Sequence, residues 1–137
     1  MATADEIRAS IDEGRTALKA ALEGADASKW EQVGAGNEEW TPRKIAEHVI
    51  GSEGYFARGV AGAMLGKEPE QRELALTTPA EAVAALEAAV EDCNKVYRYV
   101  EDRDLEKRVG EDGTIQGMME GLAAHAADHA SEIGASA

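Results

Sequence analysis

Three times in this chain a threonine stands directly before a helix-favouring run. Thr3 is followed by Glu6, Thr41 by Pro42, and Thr78 by Pro79 and Glu81. A threonine hydroxyl at such a position accepts hydrogen bonds from the first free backbone N–H groups of a helix. A glutamate three residues on answers it, and a proline at the first helical position loses nothing, since its missing N–H would have had no partner there. These signals predict three helix starts before any hydrophobic pattern is consulted, and the pattern agrees with them. Ile7, Ile11, Leu18 and Leu22 share one stripe at helical spacing, ended by Gly24 and Ala25. Ile45, Val49, Ser52, Phe56, Val60 and Ala63 form a second stripe, and Val83, Leu86, Val90, Cys93, Tyr97 and Val100 a third. A fourth helix is predicted from about Thr114 to Ile133, after a turn at Asp112 and Gly113, with Ile115, Met118, Leu122 and Ile133 on one face.

Four amphipathic helices of similar length predict an all-α four-helix bundle. Composition supports this: hydrophobic residues make up 44%, much of it alanine, and aromatics only 4%, a balance that favours helix over strand. A chain of 137 residues suits one domain spanning residues 1–137. Residues 24–40 form a long connection predicted to hold a short helical turn, with Trp30 and Trp40 filling gaps in the core. Residues 66–78 read as loop, and "EDRDLEKRVGEDGT" as a charged connection. The connection lengths leave the order of the helices around the bundle open.

Charge narrows the partners. Lys and Arg number 14 against 27 Asp and Glu, a formal net charge of −13. Such a chain lacks the basic stripe that nucleic-acid phosphates require and is repelled by anionic membrane surfaces. No basic region followed by an apolar run opens the sequence, and the single cysteine, Cys93, has no internal disulfide partner. A cytoplasmic protein is therefore expected. Cys93 falls on an apolar stripe and reads as a small buried hydrophobe.

The chain has three histidines. His125 and His129 lie four residues apart in the alanine-rich "LAAHAADHASEIG", roughly 40° apart around the helix at 100° per residue, on the edge of its apolar face. Glu132 lies beside them on the polar side. His48 borders the seam of the second helix. An imidazole pair at this spacing can hold one metal ion, and a third imidazole from a facing helix leaves coordination positions open, as in catalytic sites. Zinc, nickel, iron and copper all accept imidazole, so the ligand type does not name the metal. The alternative is three ordinary hydrogen-bonded boundary histidines.

Taken together, "WTPRKIAEHVIGSE" and "HAADH" resemble the DinB-like (DinB/YfiT) superfamily, whose members are regarded as metalloenzymes. Trp40, Thr41 and Pro42 open the second helix, His48 and Glu53 follow, and the His125/His129 pair stands in the last helix. The likeness in layout covers essentially the whole chain. It implies a four-helix bundle holding a divalent metal, zinc or nickel, on His48, His125 and His129. It also implies thiol chemistry of the mycothiol or bacillithiol type, with a low-molecular-weight thiol and an electrophile as small-molecule partners. A thiol S-transferase is the first expectation. A metal-dependent hydrolase, or a bundle that binds a metal or small ligand without turnover, are the alternatives. Glu132, Glu53 and Tyr55 are candidate bases. The 24–40 and 66–78 connections are expected to line the mouth of the site. Met118 and Met119 read as packing residues, and the smooth face of Ala123, Ala127 and Ala130 suits another helix or a second subunit, a homodimer.

Overall fold

Each predicted helix start is occupied as the capping signals require. The computed structural model describes residues 2–34 and 39–135, so residues 35–38 of the first long connection lie outside the described residues. Helix α1 (Ala4–Glu23) opens with a capping box: Glu6 N–H donates to the Thr3 hydroxyl, and the Glu6 carboxylate accepts from the Thr3 backbone. Helices α2 (Pro42–Ala63) and α3 (Pro79–Tyr97) each carry a threonine cap, and Pro42 and Pro79 stand in their first turns. Helix α4 (Ile115–Ala135) follows a two-stranded hairpin, β1 (Arg108–Val109) with β2 (Gly113–Thr114). The hairpin lies inside the charged connection, where no strand was expected. Among the described residues, the connection after α1 holds one 3₁₀ turn, Ala27–Lys29, capped by Asp26. No helix among the described residues is long and apolar enough to cross a membrane.

The helices form a ring in which α1 and α2 both pack against α3 and α4, leaving α1 opposite α2 and α3 opposite α4. Two apolar clusters fill it. One joins Ile7 and Ile11 of α1, Ala57 and Val60 of α2, Cys93 and Tyr97 of α3, and Ile115, Met119 and Leu122 of α4. The other joins Leu18 and Leu22 of α1, Ile45, Val49 and Ile50 of α2, Leu86 of α3, and Ala130 and Ile133 of α4. The first cluster takes the start of α1 and α4 but the end of α2 and α3. Hence α1 and α4 run one way, and α2 and α3 the other. This order explains the long connections. Two of them cross a diagonal of the bundle. The 66–78 segment must climb back along α2, whose 22 residues span about 33 Å at 1.5 Å each. An extended chain of about 3.3 Å per residue covers that distance. It is anchored by Leu76, 4% exposed, whose carbonyl accepts from the Trp30 indole N–H at 2.8 Å.

The predicted stripes need three shifts. On α4 the core residue is Met119, not Met118, and Ala126 and Ala130 continue its buried line. On α2 the buried line runs through Glu53 and Ala57, while Ser52 and Phe56 are only half-buried. The alanine face of α4 is also displaced: Ala126 and Ala130 are buried and Ala127 is exposed. In each case alanine-rich helices offer little hydrophobic contrast, so periodicity fixes the face only to within a neighbouring residue.

Close approach of α1 and α4 depends on Gly14. A Cβ at this position would sit 2.7 Å from the Ala123 carbonyl oxygen and 3.3 Å from the Ala126 Cβ. The first contact is with backbone and cannot be relieved by a rotamer change. Gly14→Ala should therefore push the two helices apart and destabilise the fold by about 1–3 kcal/mol, against alanine's better helix propensity. A urea titration followed by helical circular dichroism measures this. A midpoint equal to or above that of the unchanged protein would contradict the described contact.

Candidate metal centre

His48 lies in the first half of α2, and His125 and His129 in the second half of α4, so antiparallel packing brings them to one level. Met118 lies against Gly59, Gly121 against Phe56, and His125 against His48, which sets the register of the two helices. His48 Nε2 and His129 Nε2 each lie 3.0 Å from His125 Nε2. One nitrogen from each of the three rings falls within 4.8 Å of the others. Nitrogens bound to one ion at 2.0–2.1 Å, with angles between octahedral and tetrahedral, stand about 2.8–3.4 Å apart. The two separations from His125 fall in that range, and His48 and His129, within 4.8 Å of each other, would close to no more than about 4.2 Å around a shared ion.

Hydrogen bonding alone accounts poorly for this arrangement. A neutral imidazole nitrogen offers one proton or one lone pair, so His125 Nε2 cannot be well paired with both neighbours at once. The Nδ1 atoms of His125 and His129 are buried without an aligned hydrogen bond. Glu132 Oε1 does approach His129 Nδ1 to 2.7 Å, an ion-pair contact lying off the ring N–H direction. Burial holds the His48 imidazole below its ordinary pKa, with the neighbouring His129 adding to the shift and Glu132 opposing it. Burial likewise lowers His125, helped by His129 and His48 and opposed by Asp128 and Glu132. Both shifts favour the neutral, metal-ligating form. The donor set therefore fits a divalent ion that accepts imidazole.

An open cleft of about 560 Å³ touches His48 and His125 and is lined by Glu47, Gly51, Ser52, Tyr55 and Phe56 besides. All of these residues belong to α2 or α4, so the 66–78 connection does not line it, contrary to expectation, and among the described residues of the 24–40 connection none lines it, residues 35–38 lying outside the described residues. The 66–78 segment lies instead in the groove between α2 and α3. The end of the first connection contributes at one point: the Trp40 ring stands edge-on to His48 with centroids 5.2 Å apart. Trp30 fills the core as expected, at 2% exposed, whereas Trp40 is half-buried against the histidine.

The three candidate bases part company. Glu132 contacts His129 as described. Tyr55 lines the cleft. Glu53 is 1% exposed and does not line it. Its two oxygens accept from Arg15 Nε at 3.0 Å and Arg15 Nη2 at 2.6 Å. Arg15 also donates to Asn94 Oδ1 at 2.7 Å, so α1, α2 and α3 are tied together through the interior. Arg15 had drawn no notice in the sequence, because one arginine in the gap of an apolar stripe looks like a surface residue. Phe56 and Ser52, read as core, also belong to the site. Their spacing of eight and four residues from His48 is the signal that places them on its side of α2. Cys93 is buried among apolar side chains, and burial first, then Glu53, pushes its thiol up to about 12, against the pull of Arg15. It is not a nucleophile in the folded protein.

A family model, that of the DinB superfamily, matches residues 3–133. No curated protein and no solved structure matches the chain.

Proposed function

The chain belongs to the DinB superfamily, and on that premise we propose that it is a metal-dependent thiol S-transferase of the mycothiol or bacillithiol type. In this reading His48, His125 and His129 hold a zinc or nickel ion. The observation that carries it is the convergence of three ring nitrogens, two of them 3.0 Å from the third, on two antiparallel helices. A divalent ion bound there supplies Lewis acidity that lowers the pKa of a thiol, or of water, at an open position. The chain's own residues hold that arrangement in place. With Nε2 committed, the ring proton of His129 sits on Nδ1, and the Glu132 carboxylate 2.7 Å away favours that tautomer by its charge, a positioning role. Glu53 acts at a distance, fixing the rotation of α2 through Arg15. Trp40 and Phe56 brace the His48 and His125 rings edge-on, at 5.2 and 6.0 Å between centroids. The side of His48 left exposed faces the cleft in which an electrophile would lie.

The test uses metal-loaded protein, monochlorobimane as electrophile, and a panel of glutathione, bacillithiol, mycothiol and coenzyme A. Turnover should require both thiol and metal, and should fall at least ~100-fold in His48→Ala, the scale for loss of an activating group. Rates no better than thiol and metal without protein, across the panel, would favour a binding protein instead. Metal-dependent hydrolysis of an ester without any thiol would keep the centre and discard the transferase.

A further inference from the structure

We propose that the cleft beside the three histidines selects a neutral, planar aromatic group on the substrate, with Tyr55 as the shelf on which it stacks. This rests on the metal reading above and adds the substrate class to it.

Tyr55 is 63% exposed, which for a ring at the mouth of a cleft means one face is open to solvent. It is not isolated there. Its ring meets Phe56 edge-on at 5.5 Å between centroids, and Phe56 meets His125 at 6.0 Å. A continuous line of rings thus runs from solvent to the histidine at the centre of the cluster. Gly51 leaves that stretch of α2 bare: a Cβ there would touch only Leu74, at 3.9 Å. At 100° per residue, Tyr55 lies within about 20° of His48 around α2, two turns along the axis, and both line the same cleft. Planar groups stack on such a face in offset or edge-on geometry.

The charges point the same way. No lysine or arginine is among the described residues lining the cleft. Arg43, one turn before Glu47, is drawn to Glu31 at 2.8 Å and Glu47 at 3.2 Å. Lys44, one turn before His48, rests over the Trp40 ring at 5.0 Å. Glu47 is itself occupied, accepting the Leu76 backbone N–H at 2.9 Å. With the ion on the histidines taken by the metal-binding head, an anionic substituent would meet no cationic side chain among the described residues of this cleft, whereas an uncharged ring would meet Tyr55 and Phe56.

Hydroxamates sharing one metal-binding head test this on the zinc-loaded protein by calorimetry. Benzohydroxamate should bind about tenfold more tightly than acetohydroxamate, the order expected for one aromatic contact with its buried area. 4-Carboxybenzohydroxamate should bind no better than benzohydroxamate. Tyr55→Ala should reduce the preference to about twofold with unchanged zinc affinity, and Tyr55→Phe should retain it, since the ring and not the hydroxyl carries the contact. Equal binding of the first two ligands by zinc-loaded protein, or a preference that survives Tyr55→Ala, overturns the shelf while leaving the metal centre standing. Failure to bind either zinc or nickel overturns both.

Discussion

Glu53→Ala should destabilise this protein by about 3–5 kcal/mol, the usual cost of leaving one member of a buried ion pair without its partner. Arg15 and Glu53 are 5% and 1% exposed and are joined by two hydrogen bonds of 3.0 and 2.6 Å. They sit between the two apolar clusters, on helices that face each other across the bundle. With the carboxylate gone, the guanidinium keeps Asn94, the face of the Tyr97 ring and a long contact of 4.0 Å to Asp12. It lies at the floor of a cleft between α1 and α3, and the cost of about 3–5 kcal/mol is an upper range to the extent that water enters there. A domain of ordinary stability holds about 5–15 kcal/mol in all, so the variant should lose about a fifth of it or more. Arg15→Leu should cost a similar amount by stranding the carboxylate. The double variant Arg15→Leu, Glu53→Leu removes both charges, and should recover most of the loss, since apolar replacement of a whole buried pair is often neutral. Denaturant titrations of the unchanged protein, Arg15→Leu, Glu53→Leu and the double variant measure the coupling, with Glu53→Ala as a further single. Single losses below about 1 kcal/mol, or a double variant as weak as the sum of the singles, would mean that the pair is not buried as described.

The same pair shows where sequence reasoning reached and where it stopped. The starts of α1, α2 and α3 were legible because capping is local: Thr3, Thr41 and Thr78 act on backbone groups within their own first turns. The three histidines were legible because two share a helix face and the family resemblance supplied the third. Helix order around the bundle was not, since it depends on which faces meet, and four alanine-rich stripes are nearly interchangeable. The place of Glu53 in the fold has a geometric reason that its sequence spacing conceals. Five residues from His48 looks close in sequence, but on a helix it is about 140° away, which points the carboxylate into the bundle and away from the cleft. The same arithmetic puts Tyr55, two turns on, within about 20° of His48 and Phe56 about 80° away, on the cleft side of α2. The hairpin of β1 and β2 was hidden because two-residue strands carry no periodicity. It depends instead on Gly110 at φ +66° and on Gly113, where a Cβ would fall 2.8 Å from the Val109 carbonyl oxygen.

His125→Ala should weaken zinc or nickel binding by well over 100-fold while leaving the apo fold within about 1 kcal/mol of the unchanged protein. Both parts follow from position. His125 Nε2 is the atom from which both other ring nitrogens are 3.0 Å distant, so its loss leaves two imidazoles on different helices. Loss of a direct ligand should exceed the 10–100-fold typical for a residue that only orients one. Glu132→Gln, which keeps the shape of the contact to His129 but not its charge, supplies that intermediate step in a graded series. The apo fold should survive because the apolar clusters, not the half-buried histidine rings, hold the helices together. Thermal melts separate the two effects. At a free metal concentration of 100 times Kd, the unchanged protein should gain about 2.7 kcal/mol, and His125→Ala should gain none. Acidification should act in the same direction, since protons and metal compete for one lone pair. Because burial and mutual repulsion hold His48 and His125 below the usual imidazole range, binding should persist below the midpoint of a free histidine before it is lost. A chain with net charge −13 also attracts divalent cations to its surface carboxylates, so equal binding by the unchanged protein and His125→Ala would place the ion there, and the three-histidine centre would have to be abandoned.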